Sequence, residues 1–199
     1  MRGLIAVVLA GLLAGCASTS ITGYSDPDYR DSQYDSVVVV AEGAGLERAA
    51  RLEGGICEKF QSKGITCAPF NQMFPPTRSH PADEVFTALN HKDIGALVVL
   101  LSGADQSSAR NIGYQTFGSA NVYGNQVTGQ SSSMALTAFS RQAHARIVLV
   151  DADTRETAWL GDARTEGSGA VNVTESAFAS SLTTEVVRAL VESPHFSGE

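Results

Sequence analysis

The chain has little of the residue types that most often carry chemistry. Its 199 residues include three cysteines, four histidines and one tryptophan. Basic residues are also few: 14 Lys and Arg stand against 21 Asp and Glu, for a formal net charge of −7 at pH 7. Because phosphate groups are bound by clustered basic side chains, this balance argues against nucleic acid as a partner. It argues equally against attraction to anionic lipid head groups.

Long apolar runs are scarce too, and the one at the amino terminus has the features of an export signal. Arg2 precedes an apolar run over residues 4–13, which is too short to span a bilayer as a helix. The run ends in Leu13-Ala14-Gly15-Cys16, which resembles the lipobox of bacterial lipoproteins. An amino-terminal membrane helix is the alternative, and the polar residues directly after Cys16 disfavour it. We therefore expect 1–15 to be a cleaved signal peptide and Cys16 to carry a membrane-anchoring lipid.

The segment after the lipobox has a composition typical of a linker. Residues 17–34 are rich in Ser, Asp, Tyr and Gly and have no periodic apolar face. We predict that 16–34 comprise the acylated Cys and a flexible tether between lipid and domain. In lipoproteins that this sequence resembles, Ala17 after the acylated Cys favours sorting to the outer membrane. The resemblance therefore implies an outer-membrane anchor with the domain on the periplasmic face.

Two cysteines remain in the mature chain, Cys57 and Cys67. Export would place them in an oxidising compartment, where a pair ten residues apart most simply forms a disulfide. Closing such a loop stabilises a fold by about 3 kcal/mol on the chain-entropy model. Two buried thiols are the alternative. A redox-active pair is disfavoured because the sequence has no C-x-x-C motif.

The periodicity of apolar residues predicts one α/β domain over 35–195. Apolar runs predict strands at 37–41, 65–69 and 96–101, and helical spacing predicts helices after the first two strands. Alternation then predicts a hairpin formed by 143–150 and 156–165, and a helix from Thr174 whose buried stripe is Phe178, Leu182, Val186, Val187 and Leu190. The order predicts a mixed twisted sheet of about five or six strands with helices packed on it.

A polar segment over 104–140 interrupts this pattern. It is dominated by Ser, Gly, Gln, Asn and Ala, and Gly124-Asn125 is a candidate turn. We predict a polar, partly mobile hairpin that extends from the sheet. Its aromatic residues Tyr114, Phe117 and Tyr123 are candidate partner-binding residues, because aromatic side chains in a polar segment often anchor a partner. They could equally cover the sheet.

Motifs for catalysis, cofactors or metals are absent from the sequence. Gly43-Ala44-Gly45 lies between a strand and a helix, but Arg48 takes the third glycine position of a dinucleotide motif, so we expect a tight turn and no cofactor. The four histidines share no ligand spacing, and we expect ordinary surface residues and no metal site. No nucleophile motif is present, and we predict no catalytic residue. Trp159 is expected to pack in the core.

Three stretches resemble a group of bacterial envelope lipoproteins whose domain is similar to the amino-terminal domain of TolB. They are Tyr34–Val40, Gly95–Leu100, and Ala145–Trp159, a strand, an Asp turn and a strand with Trp. The group includes the curli-secretion lipoproteins and the lipoprotein activators of penicillin-binding proteins. The likeness covers about residues 34–192. It implies the fold and a location in the cell envelope.

These features favour a non-enzymatic outer-membrane lipoprotein that binds another envelope protein through a sheet edge or the 104–140 extension, with self-association possible. One alternative is an oligomeric secretion or channel component. Curli-type channels use long hairpins in which apolar and polar residues alternate. Here the alternation that starts at Ile112 is broken at Phe117-Gly118, which disfavours a pore. A second alternative is an envelope hydrolase with a cryptic site, because paired catalytic carboxylates can lie far apart in a sequence; no pair is nominated here.

Overall fold

The computed structural model describes residues 17–123 and 126–196, of which 117–123 and 126–132 are described by their backbone alone. The fold is mixed α/β, as predicted, with one sheet and helices packed on it. Its strands are β1 (Ser18–Ser25), β2 (Ser36–Glu42), β3 (Thr66–Pro69), β4 (Ala96–Tyr123), β5 (Gln126–Asp151) and β6 (Thr157–Ser168). Its helices are α1 (Leu46–Gln61), α2 (Phe70–Met73), α3 (Ala82–His91) and α4 (Glu175–Val191), with a 3-10 turn at Pro27–Tyr29.

The sheet has the order β1-β6-β5-β4-β2-β3. Strand β2 lies parallel to β3 on one side and to β4 on the other, and the remaining pairs are antiparallel. The apolar run in β2 is buried on both faces, which accounts for its unbroken valines. Helices α1 and α4 cover one face with the larger core, and α2 and α3 cover part of the other. The predicted order of elements is confirmed.

Several local predictions are confirmed. Asp151 Oδ1 accepts hydrogen bonds from the backbone N–H groups of Asp153 and Thr154, as expected of an Asx turn. The side chain of Thr174 caps α4 by accepting from the N–H of Ala177. The five apolar residues of the α4 stripe are all buried.

The disulfide between Cys57 and Cys67 is also present, with the two Cα atoms 5.0 Å apart. It joins the last turns of α1 to β3. Because β3 is a short edge strand, the bridge holds it against the helix that precedes it.

The tether prediction is wrong for the residues that follow Ala17. Ser18–Ser25 form the edge strand β1, which pairs antiparallel with β6 from Ser18↔Glu166 to Ser25↔Trp159. Thr19 is buried, and its hydroxyl is 2.8 Å from that of Thr165. The strand escaped prediction because it contains one large aliphatic residue, Ile21, and therefore shows no apolar alternation. Cys16 and the predicted signal peptide, 1–15, lie outside the described residues.

Two smaller features differ from what the sequence alone suggests. Pro75 and Pro76 are typical of a loop, but the residues before them, Phe70–Met73, form a short helix in which Phe74 N–H donates to the carbonyl of Phe70. His195 was expected on the surface, and it is fully buried against Tyr34, with Nδ1 3.2 Å from the carbonyl of Ser32. In the described ranges, no helix combines the length and the apolarity that a membrane span requires.

Candidate interaction site

Strands β4 and β5 extend well past the rest of the sheet. Strand β2 stops pairing with β4 at Glu42↔Leu101, and β6 stops pairing with β5 at Ser168↔Ser140. Beyond these points β4 and β5 pair only with each other, as far as Tyr123↔Gln126. We call residues 111–123 and 126–139 of this two-stranded part the ribbon. The predicted hairpin extension is confirmed, and its predicted turn, Gly124-Asn125, lies outside the described residues.

The loss of apolar alternation at Phe117-Gly118 does not interrupt the strand. The backbone of Phe117 pairs with that of Ser132, and β4 continues through this position without a register shift. Two register shifts lie earlier, between Ser102 and Asp105 and between Asn111 and Gly113, and at the second Asn111 Oδ1 accepts from the N–H of Gly113. The ladder continues because it depends on backbone hydrogen bonds, which a local loss of apolar alternation does not remove.

Of the three predicted partner-binding residues, Tyr114 has a described side chain, and it is 71% exposed. It lies in the ribbon, where it covers no other part of the sheet. Phe117 and Tyr123 are described by their backbone alone. Phe139, another aromatic residue of this segment, is also exposed, and sequence reasoning missed three further exposed apolar side chains on the ribbon: Ile112, Met134 and Leu136.

The ribbon is also free of charge. No Asp, Glu, Lys, Arg or His occurs from 111 to 140, and Arg110 and Arg141 flank this stretch. This signal was visible in the sequence and was not used. A two-stranded hairpin without further strands or a helix against it is at best marginally stable in water. An uncharged ribbon with exposed apolar side chains is therefore suited to contact another surface.

An ion cluster fixes the root of the ribbon to the domain. Arg141 on β5 contacts Asp105 on β4 at 2.5 Å and Glu175 at the start of α4 at 2.7 Å. Arg48 of α1 contacts the same two carboxylates at 3.2 and 2.9 Å. The Arg141 side chain is 11% exposed, and its guanidinium lies 4.5 Å from the centre of the Phe178 ring. Two strands and two helices are thus joined where the ribbon leaves the sheet.

The charges in this cluster stabilise one another. Hydrogen bonding to Arg141 lowers the pKa of Asp105, and Arg48 adds to the effect. Hydrogen bonds to Asp105 and Glu175 raise the pKa of Arg141, against the opposing effect of its burial. Because a partly buried bidentate pair has a defined geometry, the cluster sets the direction in which the ribbon leaves the domain.

The start of β1 lies at the same end of the sheet as the ribbon. Ser18 opposes Glu166, Glu166 opposes Gln142, and Gln142 opposes Gln106, which forms one row across β1, β6, β5 and β4. Adjacent strands are about 4.8 Å apart, so the first residue of β1 lies about 14 Å across the sheet from the root of β4. Cys16 is joined to this end through Ala17 alone.

Candidate metal ligands are dispersed over the described part of the chain. No three His, Cys, Asp or Glu side chains converge there as metal ligands. Both ring nitrogens of His80 have partners, Glu84 at 3.3 Å and the carbonyl of Pro75 at 3.1 Å.

No family model matches the chain, and no curated protein matches it. Solved structures that are similar include a PelC dodecamer from Paraburkholderia phytofirmans, at 11% identity and a TM-score of 0.49, over 86% of this chain and 94% of that one. Lipoprotein GNA1162 from Neisseria meningitidis is similar at 14% identity and a TM-score of 0.47, over 79% and 99%. Because these scores are below 0.5, they carry no argument about family or function. The resemblance to TolB-like lipoproteins stays a prediction.

Proposed function

We propose that this chain is an outer-membrane lipoprotein, anchored through Cys16 with its domain on the periplasmic face, that acts without catalysis by binding another envelope protein. The observation that carries the proposal is the ribbon, a two-stranded extension that is uncharged and bears exposed apolar side chains. Covering such a surface is favourable, because each Å2 of apolar area buried from water stabilises the complex by about 25 cal/mol.

The ribbon offers two kinds of contact. In the described structure no strand lies beside the outer edge of β4 after Leu101 or beside that of β5 before Ser140. The backbone groups of these edges can therefore pair with an extended segment of a partner. Met134 and Leu136 are two residues apart on β5 and therefore share one face. An edge that provides hydrogen bonds beside an apolar face is the arrangement used in strand addition.

Site-specific photo-crosslinking in intact cells tests this proposal. A photoreactive amino acid at Tyr114 should yield a defined adduct with an envelope protein. The same amino acid at Glu58, which is exposed on α1 away from the ribbon, is the matched control and should not yield that adduct. Absence of an adduct at Tyr114, or the same adduct at both positions, contradicts binding through the ribbon.

The anchor is tested separately by metabolic labelling with an alkynyl fatty acid. The wild-type chain should take up the label and fractionate with the outer membrane, and Cys16→Ser should lose both properties. Label retained by Cys16→Ser, or wild-type chain found wholly in the cytosol, would exclude the anchor.

A second candidate function is an oligomeric secretion or channel component of the outer membrane. It is favoured by the row that joins the start of β1 to the root of the ribbon, because acylation at Cys16 would hold that end of the domain against the bilayer. The adjoining stretch without charges suits such an environment, where charged side chains are costly. At about 3.4 Å per residue, each arm of the ribbon exceeds the ~30 Å hydrocarbon thickness.

The two candidates differ in assembly and conductance. Detergent-solubilised protein that runs as a large ring and conducts ions across a planar bilayer supports the channel. A monomer without conductance excludes it and leaves the adduct at Tyr114 to decide the binding role.

A further inference from the structure

A cleft of about 720 Å3 lies at the carboxyl end of β2. From β2 the chain passes through α1, on one face of the sheet, to β3, and then through α2 and α3, on the other face, to β4 on the opposite side of β2. Where the connections between parallel strands pass to opposite faces of a sheet, a crevice forms beyond the carboxyl ends of the strands. Small molecules commonly bind to α/β proteins in such a crevice. The cleft is distinct from the ribbon and its ion cluster.

The walls of the cleft are largely apolar and aromatic. Phe70 and Phe74 form one side, with ring centres 4.6 Å apart, and Val40 and Val99 from neighbouring strands form the back. Phe86 of α3 lines the cleft as well. The volume is in the range that takes a small organic molecule.

The polar group at the inner wall is Glu53 of α1, which is 3% exposed. One carboxylate oxygen accepts from the N–H of Ala41 at 3.1 Å and the other from the N–H of Asn71 at 3.3 Å. The bond to Ala41 replaces strand pairing, because β3 ends opposite Val39. Each oxygen retains a lone pair for a further donor.

Two acidic side chains of the cleft have no counter-ion among the described residues. Neither Glu53 nor Glu42, which lies at the end of β2, forms an ion pair with any described residue. The exposed Arg78 and the buried side chain of His80 also line the cleft, and they lie 4.0 and 3.3 Å from Glu84. Burial of an uncompensated carboxylate is costly, so a positive charge placed beside Glu53 would be stabilised.

We propose that this cleft binds a small organic cation, with an ammonium group directed to Glu53 and Glu42 and an aromatic or alkyl body packed on Phe70 and Phe74. The ammonium donates hydrogen bonds to the free lone pairs of the carboxylates. The body fills the apolar part of the cleft. Charge complementarity favours a cation over a neutral or anionic molecule of the same shape.

Calorimetric titration with three probes of one shape tests this: 4-phenylbutylammonium, 4-phenylbutanol and 4-phenylbutyrate. The mature chain carrying Cys16→Ser is used, so that neither acyl chains nor detergent compete for the cleft. We expect the ammonium to bind at least about tenfold more tightly than the alcohol, and the carboxylate not to bind. Equal binding of the three probes, or no binding of any, overturns the proposal.

Two variants locate the site. Glu53→Gln should abolish the preference for ammonium over alcohol, whereas Glu58→Gln, which removes the same charge from an exposed position of α1, should preserve it. If Glu53→Gln does not fold, Ala82→Trp provides the test, because Ala82 is exposed at the start of α3 and lines the cleft. An unchanged ammonium affinity in Ala82→Trp places the binding elsewhere and overturns the proposal.

Discussion

The indole ring of Trp159 lies over Gly23 of the neighbouring strand. A Cβ atom built on Gly23, or on Gly161 of the same strand as Trp159, would overlap the ring. Trp159 is 4% exposed and belongs to the core beneath α1 and α4, as the sequence predicted. The two glycines thus leave the space that lets one large side chain pack across β1 and β6.

Replacing Gly161 by alanine is expected to destabilise the fold. The added methyl group would force the indole or the backbone of β6 to move, and overpacking of this kind costs about 1–3 kcal/mol. Denaturant unfolding followed by the fluorescence of Trp159 measures the change. The control is Gly54→Ala in α1, where a Cβ meets nothing within 4 Å. There we expect a gain of about 1 kcal/mol from helix propensity. Equal effects at the two positions would contradict the account.

The elements that could be predicted are those whose signal is local. The valines of β2 and the helical spacing of α1 each occupy one short stretch, and both elements were found. Strand β1 was missed because the residues that hold it, Trp159 and Thr165, are distant in the sequence, and the strand itself shows no apolar alternation.

The same distinction holds for the sites. Composition predicted a hairpin at 104–140, but the cluster at its root depends on Arg141 meeting Asp105, a pair separated by 36 positions. The cleft could not be predicted, because it arises where α1 and α3 pass to opposite faces of the sheet. This arrangement depends on the order of the strands in the sheet, which no local sequence pattern determines.

Cys57→Ser should lower stability and preserve the fold. Loss of a loop closure of this length costs about 3 kcal/mol. Thermal unfolding followed by circular dichroism measures the difference from wild type under oxidising conditions. The difference should disappear when both proteins are unfolded in the presence of a reductant. A difference that persists in reductant would indicate lost packing of the buried Cys57 side chain in place of the bridge.

Deletion of residues 18–25 should destabilise the domain, contrary to what a flexible tether would give. Without β1 the indole of Trp159 loses the backbone that covers it, and Thr165 loses its partner Thr19. We expect a loss of about 3 kcal/mol or more and a red shift of the emission of Trp159, the only tryptophan. A flexible insertion between Ala17 and Ser18 is the control and should change neither quantity. A deletion variant with unchanged stability would show that β1 is dispensable.

The salt cluster at the ribbon root should make stability depend on pH through Asp105. Because Arg141 lowers the pKa of Asp105, the folded state favours the carboxylate more than the unfolded state does. Its contribution is fully present above the unfolded pKa, about 3.9, and is lost as the pH falls through the lower folded value. Asp105→Asn should therefore be less stable than wild type by about 1 kcal/mol at pH 7, a figure that allows for partial solvent screening.

This gap should begin to narrow as the pH falls below about 4, and it should close as the pH falls through the lower folded pKa of Asp105, because the wild-type carboxyl is then protonated and neutral like the amide. Denaturant unfolding of both proteins between pH 7 and pH 3 measures it. The control is Asp162→Asn, which removes a carboxylate from an exposed pair with Arg146 and should not change stability measurably. If the difference in the free energy of unfolding between wild type and Asp105→Asn stays constant down to pH 3, the charge of Asp105 does not contribute to stability. The direction of the ribbon would then not be set by charge.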